Sequence, residues 1–180
     1  MKMQKQTPIP QALERKYPEP VVLITTADGR GRTNIMSVGW YSIVSSEPWM
    51  FLVAIDSGAF TYDLIRKTRE FNVAFPDETM AGAVLLAGTV HGHQRDKLQE
   101  TGLRTQPAIQ IKPPLIMDAV ANFECRLVKI LKPGDCPLLI GEIVAAHVRR
   151  KAGAHRLYTI APNYRLEGVR PHRPGKVARG

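Results

Sequence analysis

The chain has 180 residues, 44% hydrophobic and 23% charged, with a formal net charge of +9. That balance fits one globular domain and excludes a wholly disordered chain, and no apolar run reaches the roughly 18 residues a membrane-spanning helix requires. The charge is uneven: residues 149–180 carry nine Lys or Arg against one acidic residue, while residues 1–148 carry 16 against 15.

The basic excess therefore reads as a solvated tail, with contact to a phosphate as the alternative. Interleaved basic and aromatic residues on one strand face are also missing, which argues against a nucleic-acid-binding β-barrel. Met1 to Glu14 lacks the apolar stretch of a secretory leader, so a cytoplasmic location is expected. Cys125 and Cys136 are the only cysteines and make no disulfide framework; two free thiols are expected.

Residues 1–17 form a proline-containing arm in which Gln11 to Lys16 can make a helical turn. "VVLITT" (21–26) and "TNIMSV" (33–38) flank the Asp28-Gly29 turn signal and predict a hairpin. "WMFLVAI" (49–55) reads as a strand buried on both faces, and "FNVAF" (71–75) alternates like a strand with one buried face. Between them "TYDLIRKTR" (61–69) predicts a short helix capped by Thr61.

Helical stretches are next expected from Glu78 to about Leu86, where Ala81, Gly82 and Ala83 leave room for close packing, and over "QRDKLQETGL", stopped by Gly102. "AVANFECRLVKIL" (119–131) and "PLLIGEIVAAHV" (137–148) read as a long hairpin, and "RLYTIA" (156–161) as a closing strand. Without regular βαβ alternation, the expected fold is mainly β: an antiparallel barrel with a few short helices. The domain is expected over 18–164, with a basic tail at 165–180.

The run "PVVLITTADGRGRTNIMSVGWYSIVSSEPWMFLVAI", a Thr-bearing helix, "EFNVAFP", "DK", "FEC" and "IGEIVAAHV", in that order, resembles the flavin reductase-like, FMN-binding split-barrel family, including its flavoredoxin-type members. The resemblance implies a split β-barrel, usually a homodimer, that holds FMN near the subunit interface. It also implies reduction of flavin by NADH or NADPH as a transient donor, with electrons passed to free flavin, a redox partner protein or another acceptor. A flavin carrier reduced by another protein, without nicotinamide turnover, shares the same motifs.

FMN requires donors for its phosphate, hydrogen bonds to the ring rim and an apolar bed for the ring face. The resemblance assigns Asn34, Met36, Ser37, Val38 and Trp40 to the wall beside ring and ribityl chain; read alone, they are one strand with an alternating face. Ser57 and Thr61 stand where a Gly-containing loop enters a helix N-terminus, a place that favours anions, and match the family's phosphate position. Helix capping is the plainer reading of Thr61.

Lys97, in the "DK" pair, supplies the charge that loop lacks. His91 and His93 lack a third nearby ligand, so no metal is expected, and Cys125 reads as a small buried hydrophobe. His147 is a minor candidate for contact with the nicotinamide or the flavin edge. Hydride transfer between nicotinamide and flavin needs no acid/base pair, so no catalytic residue is assigned.

Overall fold

A computed structural model describes residues 4–93, 95–150 and 155–170. The elements in chain order are α1 (Ile9–Leu13), β1 (Glu19–Pro20), β2 (Val22–Ala27), β3 (Thr33–Val38), β4 (Tyr41–Ser46), β5 (Trp49–Ala54), α2 (Phe60–Thr68), β6 (Glu70–Phe75) and α3 (Ala81–Thr89). There follow α4 (Lys97–Thr101), β7 (Thr105–Gln106), β8 (Leu115–Ile116), β9 (Ala121–Leu131), β10 (Leu138–Val148), β11 (Leu157–Ala161) and β12 (Arg165–Gly168). Seven strands make one antiparallel sheet in the order β3-β2-β6-β9-β10-β5-β4.

The sheet rolls up because its inner face is aromatic. Phe75 on β6 reaches Phe51 on β5 and Tyr41 on β4, with ring centroids 6.1 and 5.9 Å apart, although β6 is not the sheet neighbour of either. Phe51 also meets Phe123 edge-on at 5.3 Å, a favoured aromatic geometry. Val22, Ile24, Val38, Val53, Phe71 and Val73 complete this inner core. The result is a split barrel, open between β3 and β4.

A second core lies on the outer face of β2, β3 and β6. There Leu23, Ile35 and Ala74 meet Val84 and Ala87 of α3, Leu98 of α4, Ile116 and Leu157. This second layer explains two departures from the sequence expectation. Strand β6 is buried on both faces, whereas β5 alternates, with Phe51 and Val53 inside and Trp49 exposed. Alternation in sequence reports chemistry; a strand's place in the sheet decides how many faces are covered.

The hairpin of β2 and β3 forms as expected, closed by Asp28, whose carboxylate accepts from the amides of Arg30 and Arg32 at 2.7 and 3.1 Å. Gly29 and Gly31 have φ of +80° and +97°, conformations that penalise a Cβ. Strands β9 and β10 pair along their length, as the two long runs predict. Strand β4, "YSIVSS", went unread because its residues neither alternate nor form an apolar run.

The C-terminal segment departs further. Arg165–Gly168 pairs with β11, so part of the expected tail is a strand; residues 171–180 lie outside the described ones. Arg149 is not solvated either: it donates to Asp77 Oδ2 at 2.8 Å and to the Asp118 carbonyl at 3.0 Å. Burial raises the Asp77 pKa, but hydrogen bonds from Thr79 and Arg149 overcome it and hold the carboxyl below its ordinary range. Arg156 lies 3.9 Å over the Phe75 ring and donates to the Val21 carbonyl and Tyr41 hydroxyl at 3.3 Å.

The loop before β9 is pinned by buried polar side chains. Asn122 Oδ1 accepts from the Ile116 amide and Asn72 Nδ2 at 2.9 and 3.1 Å, while Thr25 donates to the Pro114 carbonyl at 2.6 Å. Fully buried Glu124 accepts from the amides of Ile109, Gln110 and Ile111 at 3.0, 2.6 and 3.1 Å, and contacts His147 Nε2 at 2.6 Å. His147 thus belongs to a structural latch on β9 and β10. Burial pushes the Glu124 pKa up, but these donors outweigh it and hold the carboxyl below its usual range.

A group with a depressed native pKa stabilises the fold above its ordinary value and loses that contribution as pH falls through the native one. Glu124→Gln removes the charge and sets an NH2 against backbone donors, which costs about 1.5–3 kcal/mol at pH 7 by the usual worth of hydrogen bonds to charged groups. Urea unfolding should show that loss at pH 7 and a progressively smaller gap from wild type as the pH is lowered past 4.

Candidate functional site

Two adjoining cavities run along β3, of about 550 and 420 Å³, each within the usual range for small-molecule sites. Met36, Asp56 and Gly88 line both, so the two are parts of one groove. Cavity 1 is bounded by Ser37, Val38, Trp40, Leu85 and Thr89, by Lys16, Tyr17 and Glu19 of the N-terminal arm, and by Asn163, Tyr164 and Leu166 near the C-terminus. Cavity 2 is bounded by Asn34, Gly58 to Thr61, Ala87, Val90 to His93 and Lys97.

Strand β3 sets this geometry. Its inner-facing Val38 is buried in the barrel core, and Met36 packs against the same core from a half-buried position. Ser37 points the other way and donates to the Val84 carbonyl of α3 at 2.5 Å. Trp40, beyond the strand end, is 57% exposed and forms an outer wall. Helix α3 can lie this close because it presents Gly88: a Cβ there would stand 3.3 Å from Ser37 Cβ. Gly88 and Ala87 make the close approach to β3; of the stretch expected to pack closely, Ala81 packs against the second core, while nothing lies within 4 Å of a Cβ at Gly82.

In cavity 2, Asn34 is buried and its Nδ2 donates to Thr61 Oγ1 at 2.9 Å, while its Oδ1 is buried without a partner among the described residues. Thr61 is not the helix cap. Ala59 occupies that position, without a side-chain hydrogen bond, and Thr61 sits in the first turn with its hydroxyl turned toward β3. The amides of Tyr62 and Asp63 already donate to the Ala59 carbonyl at 2.9 and 3.3 Å, which leaves those of Phe60 and Thr61 at the start of α2 as the ones placed to meet an anion.

Lys97 is 4% exposed, and its Nζ donates to the Ala87 carbonyl at 2.9 Å. Burial alone pushes its pKa down to about 8. Lys97 lines the cavity that Asn34 and Thr61 border. Ser57 does not: it is exposed on the loop and outside both linings.

His93 packs at a tilt of 48° against Phe60 with ring centroids 4.8 Å apart, and the Arg32 guanidinium lies 4.7 Å from the Phe60 ring. Arg32 also donates to the carbonyls of Gly92 and His93 at 2.7 and 2.9 Å, fixing the 91–93 loop. His91 and His93 line cavity 2, but no group of three metal-ligating side chains occurs among the described residues. Cys125 is fully buried; desolvation and then the Glu124 charge push its thiol well up, so it is inert as a nucleophile.

Asp56, Gly88, Tyr17 and Tyr164 were not assigned to the site from the sequence. Asp56 had a readable signal, since it immediately precedes the Gly-containing loop. Tyr164 follows Pro162-Asn163, a turn signal in a segment read as the edge of a tail.

The fold and groove define a class: a split β-barrel with a groove along one strand. Residues 14–165 match the model of the flavin reductase like domain. The chain belongs to that family. It is 35% identical over 132 residues to an uncharacterized protein of Archaeoglobus fulgidus, covering 73% of each chain. Flavoredoxin of Desulfovibrio vulgaris superposes with a TM-score of 0.79 at 21% identity, over 91% of this chain and 93% of that one. An FMN-binding protein from Thermus thermophilus gives 0.81 at 22% identity, over 97% and 99%. None of the described helices is long and apolar enough to cross a membrane.

Asn34 has little room to move. A Cβ on Gly92 would stand 2.3 Å from Asn34 Oδ1 and 3.2 Å from Phe60 Cδ1. Gly92→Ala should therefore lose about 1–3 kcal/mol in chemical denaturation, the usual cost of overpacking. Gly82→Ala, in open space on α3, should instead gain up to about 1 kcal/mol from helix propensity.

Proposed function

We propose that this protein binds FMN along β3, takes electrons from NADH or NADPH, and passes them to a flavin, a partner protein or another small acceptor. The observation that carries the reading is the buried Lys97 ammonium, with one carbonyl as its acceptor, beside the N-terminus of α2 in cavity 2. An uncompensated buried charge is costly, and a phosphate placed there supplies the counter-charge.

In this reading the phosphate occupies cavity 2, where Lys97 Nζ, Thr61 and the first amides of α2 donate to it. Asn34 and Asp56 would border the ribityl chain, with Asp56, at the junction of the cavities, accepting a hydrogen bond from one of its hydroxyls. Met36 and Gly88 would bed the ring in cavity 1, with Trp40 at its outer side. Bound FMN would supply the redox chemistry, accepting two electrons as a hydride and releasing them together or one at a time. The protein's part is to orient the ring and keep one face open.

The assembly is read as a homodimer in the cytoplasm. Exposed Ile43, Val44 and Trp49 on the β4–β5 hairpin support a partner surface, since clustered exposed apolar side chains commonly mark interfaces.

The Lys97 charge is lost as pH rises through about 8 in the flavin-free protein. FMN affinity should accordingly fall above that pH, while riboflavin, which lacks the phosphate, keeps its affinity. Lys97→Gln should weaken FMN about 10- to 100-fold, matching a lost charge-assisted hydrogen bond, flatten the pH dependence, and leave riboflavin within about twofold. Equal losses for both flavins would move the phosphate elsewhere. Anaerobic mixing of the FMN-loaded protein with NADH and NADPH, followed at the flavin band, should bleach it with at least one. No bleaching with either favours a carrier reduced by another protein.

A further inference from the structure

The end of cavity 2 away from the shared residues Met36, Asp56 and Gly88 is roofed by residues 91–93. The roof is wedged in place. Gly92 is buried, and the Asn34 carboxamide on one side and the Phe60 ring on the other leave no room there for a side chain. His93 packs its imidazole against the same Phe60 ring, which stands at the first position of α2.

One residue bolts this roof to the sheet. Arg32 Nη2 donates to the carbonyls of both Gly92 and His93, 60 and 61 residues away in sequence, while the guanidinium lies over the Phe60 ring. Arg32 is itself held by the β2–β3 turn, where its amide donates to the Asp28 carboxylate and its carbonyl accepts from the Asp28 amide at 2.9 Å. His91 and His93 on either side of Gly92 are exposed, so the loop has little buried surface of its own to hold it. Hydrogen bonds from a charged donor are among the stronger ones, and here they fix two consecutive carbonyls. Arg32 stays outside the cavity lining and shapes the site without facing a ligand.

In the reading above, the ribityl chain lies at the cavity junction and the phosphate deeper in cavity 2, between Lys97 and the start of α2. The chain of the ligand therefore points at the roof. A phosphate monoester ends there. A dinucleotide continues from the same phosphorus into a second phosphate and an adenosine, and Phe60, Gly92 and His93 stand in that path.

Resting on the reading that FMN lies in this groove, we propose that the roof of residues 91–93 selects the mononucleotide FMN against the dinucleotide FAD, and that Arg32 is the positioning residue that sets this specificity. FMN and FAD each carry about two negative charges at neutral pH, so the charge of Arg32 favours both alike and cancels from the ratio of their affinities. What remains in the ratio is the roof.

The test titrates the full-length protein, stripped of any flavin, with FMN, FAD and riboflavin and follows flavin fluorescence. The parent should bind FMN at least about 30-fold more tightly than FAD. Arg32→Gln should lower that ratio about tenfold, as loss of one charge-assisted hydrogen bond predicts, and leave riboflavin within about twofold. Arg32→Lys, whose ammonium can still donate to both carbonyls, should keep the ratio within about threefold of the parent. Phe60→Leu, which takes away the surface shared by Arg32 and His93, should lower the ratio as well.

Equal affinity of the parent for FMN and FAD, a ratio unmoved by Arg32→Gln, or a fall in Arg32→Lys as large as in Arg32→Gln would each overturn the proposal while leaving flavin binding intact. Should Arg32→Gln fail to fold, Phe60→Leu decides in its place, an unchanged ratio counting against the roof. A folded parent that takes up none of the three flavins refutes the flavin reading, and the proposal falls with it.

Discussion

Burial of the Asn34 carboxamide between β3, α2 and the 91–93 loop is the constraint on which the groove depends. A buried amide without partners costs several kcal/mol, so its surroundings are built to meet it. Thr61 meets one end from the first turn of α2, and Gly92 makes space at the other. The second end stays unpaired among the described residues and borders a cavity. Helix α2 is thereby fixed with its N-terminus facing β3, and Lys97 lines the same space from α4.

The remainder of the molecule holds β3 still. One of its faces packs into the aromatic barrel interior and the other against α3, so the strand cannot shift without opening two cores. Away from the groove, polar side chains pin loops that carry no chemistry. Glu124 gathers three consecutive amides, Asn122 closes the segment before β9, and Arg149 and Arg156 clamp the C-terminal strands. Buried polar networks of this kind specify one arrangement of the loops more than they add to net stability.

The fold was legible where local chemistry and tertiary context agree. The Asp28-Gly29 turn announced the β2–β3 hairpin, the two long β-branched runs announced β9 and β10, and Gly102 ended α4 with φ of +65°. Legibility failed where a distant element decides. The faces of β5 and β6 were exchanged because coverage comes from α3 and the segment before β9, and β4 went unread because its pairing with β5 replaces a pattern its sequence lacks. Within the site, Asn34, Met36, Val38, Trp40, Thr61 and Lys97 converge on one groove. Ser37 lines it as well but spends its hydroxyl on Val84, Ser57 stays outside, and His147 is taken by Glu124. The commitments of Ser37 and His147 span 47 and 23 residues of sequence and leave no local trace.

The central claim is that the space between Asn34, Thr61 and Lys97 is shaped for the phosphate end of a flavin whose ring lies beside Met36 and Trp40. Its most direct test is the visible spectrum of the protein purified without added cofactor, followed by titration with FMN at micromolar concentration. The account predicts a flavin band on purification or its appearance, shifted from free FMN, on titration. A folded protein that stays colourless and leaves added FMN unperturbed would contradict it.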